Sequence, residues 1–140
     1  MGLRKLVFER ITGLVEFTSV IPAARVFSPG AVGMKNPGHS PIRPFAVMRF
    51  QPDNPGMVPK LPMSQQRFNV WLHDEPGSMD NIEDAVAALK KGLPGALPGV
   101  SENLRVIECV WEGTSADGYD DHFGTTTVYV DFMATYKPAP

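Results

Sequence analysis

Twelve residues near the end of the chain, "TTTVYVDFMATY" (125–136), alternate between apolar and polar side chains. Successive side chains of a strand point to opposite faces, so this run reads as a strand with one face buried and the other open. Val128, Val130, Phe132, Ala134 and Tyr136 point inward; Thr127, Tyr129, Asp131, Met133 and Thr135 point outward. An earlier segment, "RFNVWLH" (67–73), alternates in the same way. Phe68, Val70 and Leu72 share one face, and Arg67, Asn69, Trp71 and His73 the other. Strands of this kind need a sheet whose inner face is covered.

Two amphipathic segments supply the cover. Leu3, Leu6, Val7, Ile11, Leu14 and Val15 recur at helical spacing, with Arg4, Lys5, Glu9, Arg10 and Glu16 elsewhere on the wheel. Gly13 weakens the last turn of that helix by about 1 kcal/mol relative to alanine. The second helix spans 79–91, with Met79, Ile82, Val86, Leu89 and Leu93 as its buried stripe. Ser78 is placed to cap it, Asp80, Glu83 and Asp84 lie in or near its positive first turn, and Lys90 and Lys91 lie near its end. Gly92 suits a left-handed cap. Further strands are expected at "AARVF" (23–27), "FAVMRF" (45–50) and "NLRVIECVWE" (103–112), the last apolar on both faces and so central in the sheet. Nine of the fourteen prolines fall in 22–62, which gives proline-rich loops at 28–44 and 51–66, the second a semi-extended arm. "KPAP" is a tail too short to pack. The expected architecture is one α+β domain over 1–140: a two-layer fold with a mainly antiparallel or mixed sheet of about four to five strands and two helices on one face.

The 140 residues suit a single core. No apolar run approaches the ~20 residues of a membrane span, and the charge-interleaved N-terminus lacks the apolar core of a signal peptide. Leu6 stands where a myristoylation motif wants Ser or Thr. A lone Cys109 rules out an internal disulfide and a zinc knuckle, and points to folding in a reducing cytoplasm. The net charge of -2 is uneven: residues 1–67 carry nine Lys/Arg against three Asp/Glu, and residues 68–140 carry four against twelve. Such a division can steer copies of one chain together head to tail, or it can dissolve once the chain folds.

Chemistry is poorly represented. His73, Asp74 and Glu75 are adjacent along an extended backbone, so their side chains diverge, whereas a metal needs convergent ligands. "EGTSADGYDDHFG" (112–124) gathers Glu112, Asp117, Asp120, Asp121 and His122, but without the spacing of a calcium hand; Asp and Gly are also what a turn demands. Ser115 has no nucleophile elbow, and His39 sits in a proline loop with no patterned partner. No glycine pattern fits a nucleotide, and the basic residues are too few and scattered for a nucleic-acid reader. No metal, cofactor or catalytic residue is assigned. Trp71, Tyr129 and Met133 on the open sheet face would, if they cluster, form a contact patch; the termini or long loops folding over them is the other possibility.

The order of segments from 66 to 136 resembles the tail-terminator (tail-completion) proteins of long-tailed phages. The residues that carry it are Val70 to Gly77, the helix at 79–91, Trp111 to Ser115, the Asp120–Asp121 pair and the closing strand Thr126 to Tyr136. Each piece alone is turn chemistry; order and spacing together make the likeness. The N-terminal half matches only in outline, and its proline density is unlike a typical member. The resemblance implies a non-enzymatic virion protein, assembled in the host cytoplasm, that forms a hexameric ring on the tail tube and ends tube growth. It would bind itself, the tail tube protein and a neck or head-completion protein, with DNA passing through the ring without sequence-specific binding and with no membrane contact. Trp71, Tyr129, Met133, Asp120, Asp121, Met57 and Lys60 are the expected interface residues. The alternatives are a head–tail adaptor or other neck protein, and a small metal-dependent enzyme using the 112–122 loop with His73.

Overall fold

The computed structural model describes residues 2–28, 42–52, 54–55 and 63–139, with the backbone alone at 54 and 55. Met57 and Lys60, most of the expected 28–44 loop and half of the expected 51–66 loop lie outside the described residues. The elements run α1 (Gly2–Thr12), α2 (Val15–Thr18), β1 (Val26–Phe27), β2 (Phe45–Phe50), β3 (Asn54–Pro55), β4 (Ser64–Asp74), α3 (Asp80–Gly92), β5 (Leu104–Thr114), β6 (Gly118–Asp120) and β7 (Thr125–Pro138). Among the described residues one sheet holds every strand, in the order β1-β2-β4-β7-β5, with β3 beside β4 and β6 beside β7. Of these described pairs β1 and β2 run parallel and the others antiparallel. This is the expected α+β class with a mixed sheet.

The two alternating segments lie side by side. β4 and β7 pair from Ser64↔Tyr136 to Asp74↔Thr126 without a shift. Their inward sets, Phe68, Val70 and Leu72 with Val128, Val130, Phe132 and Ala134, join one core with Leu3, Leu6, Val7 and Ile11 of α1 and Ile82, Ala85 and Leu89 of α3. The ring of Phe68 stacks on Phe132 at a centroid distance of 5.4 Å and on Phe50 at 5.2 Å. α3 packs on β4 and β7, and α1 against β5.

Several expectations need correction. The first helix stops at Gly13, and a separate turn, α2, follows Leu14 in an extended conformation, so the covering layer has three α-helices among the described residues. Gly92 is not a left-handed cap. It lies inside α3, where a Cβ would come within 2.6 Å of Leu14 Cδ2 and where its carbonyl accepts a bond from Arg10 Nε at 3.0 Å; the left-handed glycine is Gly95 (φ 111°). Ser78 stands one residue before the helix boundary at Met79, although its Oγ still accepts from the Asp80 amide at 3.3 Å. β4 starts at Ser64, and Asn54–Pro55 pairs with its first residues, so the 51–66 stretch is not all loop. The tail is not free either: Lys137 and Pro138 extend β7 opposite Arg105 and Leu104.

β5 departs furthest from expectation. Among the described residues it is the last strand on its side of the sheet, not a central one. Its register shifts between Val106 and Glu108 and again between Trp111 and Gly113. Each bulge inserts a residue and turns the following side chains to the other face. The first bulge, at Ile107, leaves Val106 and Cys109 on the core face and Val110 beside Met133 on the open face, so apolar residues on two faces do not mean burial on both; Val110 is 44% and Trp111 39% exposed.

Replacing Phe132 by alanine opens a hole at the centre of this stack. The variant is expected to lose about 3–5 kcal/mol of unfolding free energy in urea titration, and a loss below about 1 kcal/mol would show that the ring is not locked there.

Candidate interaction surface

The face of the sheet turned away from the helices carries rows of cross-strand neighbours. One row is Val47–Trp71–Tyr129, the next Arg49–Asn69–Asp131–Gly113, and the third Arg67–Met133–Val110. Trp71 and Tyr129 meet directly, with ring centroids 4.5 Å apart. Arg49 lies over the Trp71 ring at 5.3 Å, and the indole N–H donates to Asn69 Oδ1 at 2.9 Å. Met133 does not join them, because the polar Asn69–Asp131 row intervenes, with Asn69 Nδ2 donating to Asp131 Oδ1 at 3.4 Å. Arg67 Nε donates to Glu112 Oε1 at 2.9 Å, bridging β4 and β5 across β7. The surface is thus an aromatic pair and a separate Met133–Val110 spot, divided and rimmed by charge. All of these residues are exposed or half-exposed except Val47. Sequence alternation placed Trp71, Tyr129 and Met133 on this face but could not reveal the row that separates them, nor the places of Arg49 and Glu112.

One end of the face is closed. Phe45 and His73 stack at 4.5 Å with rings 5° from parallel, and Phe123 meets both edge-on. Phe123 is carried by the turn between β6 and β7. Asp120 shapes that turn: its Oδ1 accepts the Phe123 amide at 3.0 Å and its carbonyl accepts the Gly124 amide at 2.7 Å. Arg43 fastens the turn to β2, donating to the carbonyls of Phe123 and, at 3.1 Å, of Gly124. It also pairs with Glu75 at 3.1 Å. Asp120 is therefore half-buried and engaged within the turn, whereas Asp121 beside it is exposed.

His73, Asp74 and Glu75 diverge. His73 Nδ1 and Thr125 Oγ1 share a hydrogen bond of 2.8 Å, Asp74 accepts from Asn81 Nδ2 at 3.1 Å and from the Glu75 amide at 2.8 Å, and Glu75 faces Arg43. Among the described residues no group of three or more His, Cys, Asp or Glu side chains is arranged to hold a metal ion. Cys109 is buried, and desolvation first, with Glu108 adding, pushes its thiol up to about 12, so it stays protonated. No helix among the described residues is long and apolar enough to cross a membrane.

No protein-family model matches the chain, and no curated protein matches it. Among solved structures it is similar to a chain of one described as "Virion of native gene transfer agent (GTA) particle". The TM-score is 0.73 at 14% identity, over 97% of this chain and 95% of that one. The two share a fold from end to end.

The closed corner carries a pH signature. Burial pushes His73 down to about 4, opposed by Asp120 and helped by Arg49 and Arg43. A histidine held neutral by the fold contributes stability that is whole above its unfolded value near 6.5 and is lost as pH falls toward 4. The stability gap between wild type and His73→Gln should shrink over that window, by at most roughly 3 kcal/mol. A gap that is constant from pH 7 to pH 4 in urea titrations would exclude this role.

Proposed function

We propose that the chain is a structural protein of a phage-like virion, acting as the terminator of the tail. In this reading copies form a ring on the end of the tail tube, stop the addition of tube subunits and offer a docking surface to the neck or head. The observation that carries it is the end-to-end likeness to a chain of a gene transfer agent virion, read with the terminator-like order of motifs over 66–136. The geometry is compatible with it, since what the chain offers is surface: a half-exposed aromatic pair, a charged rim and an exposed acidic turn. Its partners are then itself, the tube protein and a neck protein. It works in the virion after assembly in the host cytoplasm, and it breaks no bond.

Electron microscopy of particles made without the protein tests the role. Overlong tubes mark a terminator; tubes of normal length that have lost their heads would instead assign a head–tail adaptor.

Trp71 and Tyr129 supply the assembly contact most readily, because aromatic groups that are half-exposed on a rigid sheet lose little entropy on docking. Trp71→Lys or Tyr129→Lys should shift the assembled particle to smaller species in size-exclusion chromatography while the circular dichroism spectrum is kept. An unaltered ring would remove both residues from the interface.

A further inference from the structure

A hollow of about 550 Å³ opens at one end of the core, within the roughly 300–1,000 Å³ that ligand sites occupy. It lies where α1 starts at Gly2, β2 ends at Phe50 and β5 starts at Leu104, with Gln66 of β4 and Tyr136 of β7 on the sheet side. The alternation that buries Phe68, Val70 and Leu72 continues back to Gln66, and so sets a carboxamide on an otherwise apolar face. Gln66 is 4% exposed. Its Nε2 donates to Gln51 O at 2.6 Å, which fixes the orientation of the amide and leaves Oε1 as the open end. Among the described residues Oε1 has no hydrogen-bond partner. Native proteins rarely keep a buried acceptor without a donor, and each such group asks what supplies one.

The rest of the lining indicates the kind of donor. Arg4, half-buried in the first turn of α1, lies over the Phe50 ring at 4.9 Å and makes no ion pair among the described residues. The start of a helix leaves backbone N–H groups without intrahelical partners and carries partial positive charge. α1 has 11 residues and no acidic side chain in its first turn to answer that charge. An anion therefore suits this side of the hollow. Phe50, Leu104 and Tyr136, each half-buried, supply apolar walls. The exposed lining residues Gln51, Pro52 and Glu102 mark the mouth, and Glu102 is already engaged within the fold. An N–H donor, a carboxylate and an apolar side chain carried on adjacent atoms are what the last residue of a polypeptide offers, and capture of a chain end is an established mode of peptide recognition.

We propose that this hollow binds the carboxy-terminal end of a partner polypeptide whose last residue is apolar. Its carboxylate sits at Arg4 and the start of α1, and its last amide N–H donates to Gln66 Oε1. The remainder of the partner chain leaves through the mouth. The site is on the helix side of the sheet, apart from the Trp71–Tyr129 face, and does not depend on the tail-terminator reading.

Ligand-observed saturation-transfer NMR on the full chain tests it, since that measurement detects weak binding at any assembly size. The probes are acetyl-Gly-Ala-Leu and acetyl-Gly-Ala-Phe with free carboxylates, the same peptides as carboxamides, and acetate alone. The free acids should saturate with Kd below about 5 mM. They should bind at least about tenfold more tightly than the carboxamides, which lack the charge-assisted bond. Arg4→Gln should remove that preference. Gln66→Leu should weaken acids and carboxamides alike by about three- to tenfold, with circular dichroism showing that the fold is kept. Carboxamides that bind as well as the acids, or a Gln66→Leu variant that binds like wild type, overturn the proposal. Acetate that competes as well as the peptides overturns it as well, marking an adventitious ion only. No saturable signal from either acid overturns it too, and leaves the virion reading standing.

Discussion

Everything on both faces of this sheet depends on the register between β4 and β7. Eleven consecutive pairs, Ser64↔Tyr136 to Asp74↔Thr126, run without a bulge. A slip of one residue would send Phe68, Val70 and Leu72 to the open side and bring Arg67, Asn69 and Trp71 under the helices. Burying those polar groups and exposing the phenylalanine stack would cost far more than the few kcal/mol by which a domain is stable. The same ladder therefore specifies the core, sets Trp71 opposite Tyr129, and puts the Asn69–Asp131 row between that pair and Met133.

The open face is not open throughout, and the physical reason lies in β6. After Thr114 the chain leaves the β5 line, resumes beside the start of β7 and turns back through Asp120 to Gly124. That turn lowers Phe123 onto His73 and Phe45, and Arg43 ties it down from the other side. A second small core results, on the face opposite the helices. Its cover ends near the Trp71–Tyr129 pair, so the aromatic surface is what is left where the lid stops. Asp120 belongs to the lid and Asp121 to the surface, although the two are neighbours in sequence.

Elements with a simple period were legible from residues alone. The alternation of 67–73 and 125–136 and the apolar stripe of 79–91 survive folding with small changes at their ends. What could not be read was whatever depends on register between distant segments. The bulge at Ile107 in β5 made an edge strand look like a central one, because it shifts the alternation so that Val106 and Cys109 face the core while Val110 faces the open side. Gly92 looked like a helix stop because its real constraint, the close approach of Leu14, comes from a segment far away in the chain. Of the candidate surface, alternation found the correct face for Trp71, Tyr129 and Met133. It missed Arg49 and Glu112, whose places follow from strand order, and the closing of the corner over His73.

Strand order also decides what becomes of the uneven charge. The order β1-β2-β4-β7-β5 puts β1 and β5 at opposite ends of the path, yet the early basic and late acidic residues do not stay apart with them. Arg43, just before β2, pairs with Glu75 and ties down the turn that Asp120 shapes. Arg67 of β4 reaches across β7 to Glu112 of β5. Lys91 of α3 pairs with Glu16 of α2, a link in the reverse sense. Folding thus brings the two halves of the sequence together at several points, and the asymmetry along the chain is in part dissolved. The reason is the same ladder that orders the core: it holds β2 and the start of β4, from the basic half, within reach of β5 and the turn between β6 and β7, from the acidic half.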